Sequence, residues 1–370
     1  MVFLDFMFYG FITVVIIQAV FYIFFFGKFA FSKQKKETPK NIAVSVIICA
    51  KNESENLKKL LPSVIAQDYP EFEIVLINDD SKDDTLEVIQ AYEALHEQIK
   101  VVNVRSIEAF WGNKKYALTL GIKAAKYDYL LFTDADCKPV SKNWIKSMSS
   151  HFSSTKSLVL GYGAYTKFKN SFLNKLIRFE TLITAVNYFS FAKIGLPFMG
   201  VGRNMAYTKK EFFDANGFIR HIKVRSGDDD LFVNQIANKT NTSINISRDS
   251  FTTSVPKDTF AAWFKQKRRH VSTATHYKWV HKILLTFLFT SNLLFWLCAI
   301  LLFTSLFQWE IVLGLFIFRL ALQSVILGMS SKKLDELDVI FLLPVLEIFL
   351  LITQLTIFIT NLISKPNHWK

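Results

Sequence analysis

The chain has 370 residues, 51% of them hydrophobic and 20% charged. So apolar an average excludes a simple soluble enzyme, and so many charges exclude a bundle made only of membrane helices, so segments of both kinds must alternate. The formal net charge of +13 would suit a nucleic-acid binder or a protein lying against anionic lipid. The basic clusters stand beside apolar runs and no nucleic-acid motif accompanies them, which points to the membrane and to no nucleic-acid partner.

The first apolar run, Phe6 to Phe26, is long enough to cross a bilayer. A cleaved signal peptide is the competing reading, but the run has no basic start and no small-residue cleavage site. Lys28, Lys33, Lys35, Lys36 and Lys40 come directly after it, so the positive-inside rule places the N-terminus outside and residue 40 onward in the cytoplasm. From residue 42 to roughly 280 the pattern is that of an α/β domain. The runs Val44 to Cys49, Glu73 to Asn78, Lys100 to Val104 and Tyr129 to Thr133 read as strands, with amphipathic helices such as Glu55 to Gln67 and Thr85 to His96 between them. That alternation predicts a parallel sheet with crossover helices and a ligand site at the carboxyl ends of its strands. Phe172 to Phe191 and Phe260 to Trp279 are amphipathic and aromatic, suiting core-facing helices or helices lying in the membrane interface. Lys265, Lys267, Arg268 and Arg269 belong to the second. Ile283 to Phe307, Ile311 to Met329 and Val339 to Ile363 then read as three further spans. The connector Ser330 to Asp338 carries Lys332 and Lys333, which suits the cytoplasm, while Lys365 and Lys370 in the tail fit an outside C-terminus poorly. The expected organisation is a membrane helix and basic segment over 1–40, a cytoplasmic domain over 41–280 and a membrane domain over 281–370. Cys49, Cys137 and Cys298 are far apart and match no metal spacing, so packed, reduced thiols are expected.

Four polar sites lie at or just beyond strand ends. In Ile47 to Glu53 a strand opens into a helix, and Asn52 could cap it. In Ile77 to Thr85 the carboxylates could cap the next helix or accept hydrogen bonds from a base or ribose at the sheet's edge. Asp134 and Asp136, one residue apart straight after an apolar strand, are well placed to hold Mg2+ or Mn2+, which take oxygen ligands and can bridge phosphate oxygens. Asp228, Asp229 and Asp230 open an amphipathic helix. They could serve only its N-terminal charge, or one could act as a general base toward an acceptor hydroxyl.

Together, and in this order, these residues resemble the catalytic domain of family 2 glycosyltransferases, which have the GT-A fold. Val46 to Glu53 is similar to the family's opening strand and Asn-Glu turn, which implies donor contacts at Asn52 and Glu53. Asn78 to Thr85 resembles the segment Asp-Asp-Gly-Ser-x-Asp-Gly-Thr, with Asp79 at the nucleotide-contacting aspartate and Asp80 and Asp84 in place of glycines. Gly112 to Leu118 looks like the family's Gly-Lys-x-x-Ala-Leu element with one residue inserted, which implies that Lys114 reaches the donor. Asp134 and Asp136 match the metal-binding Asp-x-Asp, with Asp134 also on the donor side, and Asp228-Asp229 stands where the family has Glu-Asp, making Asp229 the implied base. Gln266 to His270 is similar to Gln-x-x-Arg-Trp of the processive members, with His270 in the tryptophan's place, and implies acceptor or diphosphate contacts at Gln266, Arg269 and His270.

The resemblance implies an inverting, metal-dependent hexosyltransferase. It would take a nucleotide-sugar donor, UDP-sugars first, and a lipid-linked or growing glycan acceptor, in a multi-pass cell (inner) membrane setting. An inactive scaffold of the same fold would be expected to lose its acidic sites, and Asp79, Asp136 and Asp229 are all present. A sugar nucleotidyltransferase would carry a glycine-rich first loop, which Ala50 to Ser54 is not. A transporter would need more charges within its spans than Arg319 and Glu347. Those two stand near the middle of helices joined by a short turn, which predicts either a buried ion pair, direct or through a water, or charges that each snorkel or face the catalytic domain separately.

Overall fold

The β-branched runs of the first 134 residues form the parallel part of a seven-stranded sheet in the computed structural model. Residues 2–33, 38, 40–105, 114–224 and 226–364 are described. Lys35 and Lys36 of the first basic cluster, Gly112 and Asn113 before Lys114, and the tail lysines Lys365 and Lys370 lie outside them.

The strands are β1 (Val44–Ala50), β2 (Phe72–Asp79), β3 (Ile99–Val104), β4 (Tyr129–Asp134), β5 (Cys137–Pro139), β6 (Leu158–Leu160), β7 (Gly163–Tyr165), β8 (Met205–Thr208), β9 (Thr242–Ile244) and β10 (Thr252–Ser254). The large sheet runs β3-β2-β1-β4-β8-β6-β9 and the small one β5-β10-β7. β1 to β4 lie parallel, whereas β8 runs antiparallel to both β4 and β6. β2 is buried almost throughout because helices cover both faces, which is why its sequence is a continuous apolar run rather than an alternating one. Val46, Ile48, Leu76, Leu57, Leu61, Trp144 and Met148 share one core cluster. Helix Lys114–Ala124 approaches β2 so closely that a side chain on Gly121 would collide with Ile77. Because Cys49 is in register with both Ile77 and Asp134, β1, β2 and β4 end together and their terminal polar residues share one edge.

The chain divides into two compact units. Gln34–Lys167 and Gly195–Lys257 make the sheet unit. Met1–Lys33, Phe168–Ile194 and Asp258–His368 make the other, which holds four helices long and apolar enough to cross a membrane: Val2–Ala30, Trp279–Thr304, Trp309–Lys333 and Leu337–Ile363. The first of these contains a π-helical turn at Phe21–Phe26. Phe11 stacks on Phe295 at 5.5 Å, within a cluster that also includes Val15, Leu302 and Val312. Helices Phe172–Lys193 and Phe260–Val271 belong to this unit too.

Three boundaries differ from the expectation. The stretch Phe260 to Trp279 is not one helix: it ends at Val271, a 3-10 turn covers Ser272–His276, and Trp279 opens the next apolar helix. The hydroxyls of Ser272, Thr273 and Thr275 bond back to the carbonyls of Arg269, His270 and Ser272, competing with the helical ladder there. The connector expected from Ser330 begins only after Lys333. Asn52 does not cap the next helix, whose N-cap position is Glu53 with no side-chain bond.

Candidate active site

The first two strand-end loops are tied to each other. Asn52 takes a left-handed φ of +56°, its amide donates to Ser81 Oγ at 3.0 Å, and its Oδ1 accepts from the Lys82 amide at 2.7 Å. Glu53 donates its amide to Thr85 Oγ1 at 2.8 Å and accepts from Asn56 Nδ2 at 2.6 Å. One side-chain oxygen of Asn52 and one of Glu53 thus help to shape the edge. Asp80, in a family glycine's place, has φ +48°, a conformation aspartate tolerates better than most residues. Asp84 has φ −71° and sits ahead of helix Thr85–Leu95 without strain.

Asp79 ends β2, is buried, and leaves Oδ2 without a hydrogen-bond partner, with Lys51 Nζ 3.7 Å away. Burial raises its pKa, an effect that Lys51 partly offsets. A buried acceptor without a partner is costly unless a ligand supplies the donor, so Asp79 suits a base N–H or a ribose hydroxyl.

Lys114 opens helix Lys114–Ala124, and its Nζ lies 2.9 Å from both Asp134 Oδ1 and Asp228 Oδ2. Burial alone would lower the lysine's pKa, but Asp134 and Asp228 raise it well above the ordinary value. In return Lys114 outweighs the desolvation of Asp228 and holds that carboxyl below its usual range. The triad caps a small cavity whose floor includes Ile47, Cys49, Met205 and Tyr207. An apolar floor strengthens every charge interaction above it.

Asp134, Asp136 and Cys137 bring possible ligand atoms within 4.8 Å of one another. Burial and the neighbouring Asp134 raise the pKa of Asp136, a repulsion that a divalent cation would relieve. Cys137 Sγ donates to Asp136 Oδ1 at 3.4 Å, and burial pushes the thiol's pKa well up, so the donors offered are carboxylate oxygens. This set fits Mg2+ or Mn2+ better than a thiolate-seeking metal. Asp134 and Asp136 would hold such an ion, which would supply charge neutralisation for a phosphate-bearing ligand.

Asp229 precedes helix Asp230–Ile236, and its Oδ1 accepts from the Asp230 amide at 2.8 Å while Oδ2 accepts from the Gly202 amide at 2.7 Å. It caps the helix and still differs chemically from its neighbour. Burial first, then Asp228 and Asp230, push its pKa up to about 7. One carboxylate is thus kept ionised by a lysine while the next is poised near neutrality, the division of labour expected of an ion-pair partner and a proton acceptor.

Two side chains here carry no signal in the sequence. Lys115 is wholly buried, with Nζ donating to the carbonyls of His221, Val224 and Ser226 at 2.8 Å each, clamping the segment that leads into Asp228. Arg203 stands between Gly202 and the start of β8. Gln266, Arg269 and His270 lie on helix Phe260–Val271 of the membrane-type unit. Arg269 Nη2 is 3.5 Å from His270 Nε2, and the neighbouring Arg268 bonds Asn361 Oδ1 at 3.0 Å.

A parallel α/β sheet with an antiparallel continuation and an acidic carboxyl edge defines the GT-A class of glycosyltransferase folds. In fold the chain is similar to the mannosyltransferase PcManGT from Pyrobaculum calidifontis, solved with GDP-Man and Mn2+, at TM-score 0.60 and 16% identity over 90% of this chain and 99% of that one. Residues 45–217 match Glycosyl transferase family 2, and residues 132–350 match Glycosyl transferase family group 2. The chain belongs to the family 2 glycosyltransferases. A poly-beta-1,6-N-acetyl-D-glucosamine synthase of Staphylococcus epidermidis is 37% identical over 118 residues, 31% of this chain and 27% of that protein. The glycosyltransferase AglE of Haloferax volcanii is 31% identical over 114 residues, 30% of this chain and 36% of that protein. The matched stretch therefore spans about a quarter to a third of the length of these relatives.

Proposed function

We propose that this chain is an inverting, metal-dependent hexosyltransferase. It moves a sugar from a nucleotide-sugar donor, UDP-sugars first, to a lipid-linked or growing glycan acceptor. The observation that carries the reading is the meeting of Lys114, Asp134 and Asp228 at the sheet edge where Asp79 keeps a buried oxygen that has no hydrogen bond and only Lys51 Nζ, 3.7 Å away, as an ion-pair partner. Asp79 receives the nucleotide, and Asp134 and Asp136 hold the cation. Asp229 takes the proton of the acceptor hydroxyl as that oxygen attacks the anomeric carbon and the diphosphate leaves. The four apolar helices span the cell membrane as a multi-pass anchor, with Lys332 and Lys333 and the sheet unit on the cytoplasmic side. On that side Gln266, Arg269 and His270 serve the acceptor or diphosphate. Along the chain we place the anchor at 1–40, a cytoplasmic catalytic domain with interfacial helices at 41–280 and a membrane domain at 281–370, with the helical stretches Phe168–Ile194 and from Asp258 onward grouping with the apolar helices.

The test is turnover of a panel of nucleotide sugars by the purified full-length protein, with native membrane lipids as acceptors and with or without chelator. Metal-dependent transfer to a lipid or glycan product, identified by mass, is expected. Absence of both transfer and donor hydrolysis across the panel would leave an inactive scaffold as the better reading.

A further inference from the structure

Arg203 is held by neutral groups alone. Its Nη1 donates to Ala164 O and to Ser254 Oγ, both at 3.0 Å, and its guanidinium carbon lies 4.2 Å from the centre of the Tyr165 ring. The other flank rests on Gly163, where a Cβ would come within 3.1 Å of Arg203 Cβ and 3.2 Å of its Nε. A glycine with ordinary φ is needed there because the arginine side chain occupies the space. The backbone of the same residue is fixed as firmly, since its carbonyl accepts from Thr133 Oγ1 at 3.0 Å and Thr252 Oγ1 at 2.9 Å. Thr133 immediately precedes Asp134, and the amide of Gly202 holds Asp229 at 2.7 Å. Arg203 is therefore anchored between the strand that bears the candidate cation ligands and the loop that bears the candidate base.

Among the described residues, no carboxylate comes within ion-pair distance of this guanidinium, and Nε and Nη2 make no hydrogen bond. A fixed arginine beside an acidic pair would ordinarily be spent on one of its carboxylates. Here those carboxylates are left to a cation and to Lys114, and Arg203 keeps three N–H donors in a preset plane. Such a fork matches the oxygens of a phosphate group, and its rigidity lowers the entropy lost when one binds.

We infer that Arg203 is a donor-binding residue whose free Nε and Nη2 edge takes oxygens of the donor's diphosphate, with Gly163 and Tyr165 holding the guanidinium in position. This rests on the proposed nucleotide-sugar chemistry and adds to it a diphosphate contact supplied by the sheet unit itself.

The test is calorimetric titration of the full-length, detergent-solubilised protein with UDP, GDP, UMP and GMP in the presence of Mg2+, using whichever nucleotide pair the wild type binds. Loss of one charged hydrogen-bonding partner should weaken the diphosphate by about ten- to a hundred-fold in Arg203→Gln. The monophosphate should weaken much less, so the preference for diphosphate over monophosphate shrinks. Gly163→Ala, which pushes the guanidinium aside without removing charge, should do the same, and Arg203→Lys should fall between. Equal diphosphate affinity in wild type and Arg203→Gln would overturn the inference while leaving the proposed function intact. Equal weakening of both nucleotides would also overturn it, by showing that Arg203 merely joins the two sheets. If Arg203→Gln does not fold, Gly163→Ala carries the same comparison. A wild-type protein that binds none of the four nucleotides would defeat the proposed function itself.

Discussion

Arg319 and Glu347 meet as a two-pronged ion pair, with Nη2 to Oε1 at 2.6 Å and Nη1 to Oε2 at 2.8 Å, inside a cluster of helices apolar enough to cross a membrane. The remaining donors of the guanidinium are also satisfied: Nε by Gln18 Oε1 at 2.7 Å, Nη1 by Gln323 Oε1 at 2.6 Å and Nη2 by Asn292 Oδ1 at 3.2 Å. Each of the four apolar helices contributes at least one member, and the guanidinium also lies 4.4 Å from the centre of the Phe295 ring. A charge so buried persists because every N–H has an acceptor.

This network predicts an asymmetry between single and double replacements. Arg319→Leu or Glu347→Leu alone strands a buried charge and should cost about 3–5 kcal/mol, whereas the double leucine variant should be milder than either. Thermal unfolding of the detergent-solubilised variants measures this. A double variant as unstable as the sum of the singles would show that the two charges are not energetically coupled.

The candidate cation site predicts that Asp136→Ala abolishes metal-dependent turnover while the protein stays folded. A phosphate-bridging ion contributes several kcal/mol of charge stabilisation. Normal metal-dependent rates in a well-folded Asp136→Ala protein would remove this residue from the ligand set.

Asp229 predicts a pH profile. A base works only when unprotonated, and this carboxyl is held at about 7, so kcat/KM should rise with pH up to about 7 and then level off. Asp229→Asn should lower transfer by about a hundred- to ten-thousand-fold and flatten that limb, while donor binding persists. If Asp228→Asn is the crippling change and Asp229→Asn is mild, the base is the preceding residue.

Lys115 predicts a separation of binding from turnover. Lys115→Met leaves the carbonyls of His221, Val224 and Ser226 without this donor, at an expected cost of about 1–3 kcal/mol in stability. Because the clamped segment leads into Asp228, kcat should drop more than nucleoside diphosphate affinity. Unchanged kcat in the methionine variant would show that the loop holds its place without the clamp.

The proposed orientation predicts that a cysteine at Lys332 is shielded from a membrane-impermeant thiol reagent in intact cells, whereas one at Glu310 is labelled. Both positions are exposed, so access is decided by the bilayer. The reverse pattern would turn the sheet unit to the outer face.

Much of this protein is written in local pattern. β1 to β4 are apolar runs ended by polar residues, and their order alone brings Asn52, Asp79 and Asp134 to one edge, because parallel strands joined by crossover helices all end on the same side. The four helices long and apolar enough to cross a membrane are equally legible, since a bilayer demands about 20 consecutive apolar residues whatever surrounds them. The pairing of Arg319 with Glu347 is legible in the sequence as one of two arrangements, from the short connection between their helices and the cost of a lone charge at that depth. What only the tertiary structure decided are contacts between segments with no shared period. Lys114 bridges Asp134 and Asp228, Gly202 donates to Asp229, and Arg203 is seated between Gly163 and Tyr165, each contact joining separate elements or loops. The same holds for the division between Asp228 and Asp229, two identical side chains in adjacent positions. A lysine ammonium outweighs burial at Asp228, whereas burial and then the carboxylates of Asp228 and Asp230 outweigh the Gly202 amide at Asp229, so the two proton affinities move in opposite directions.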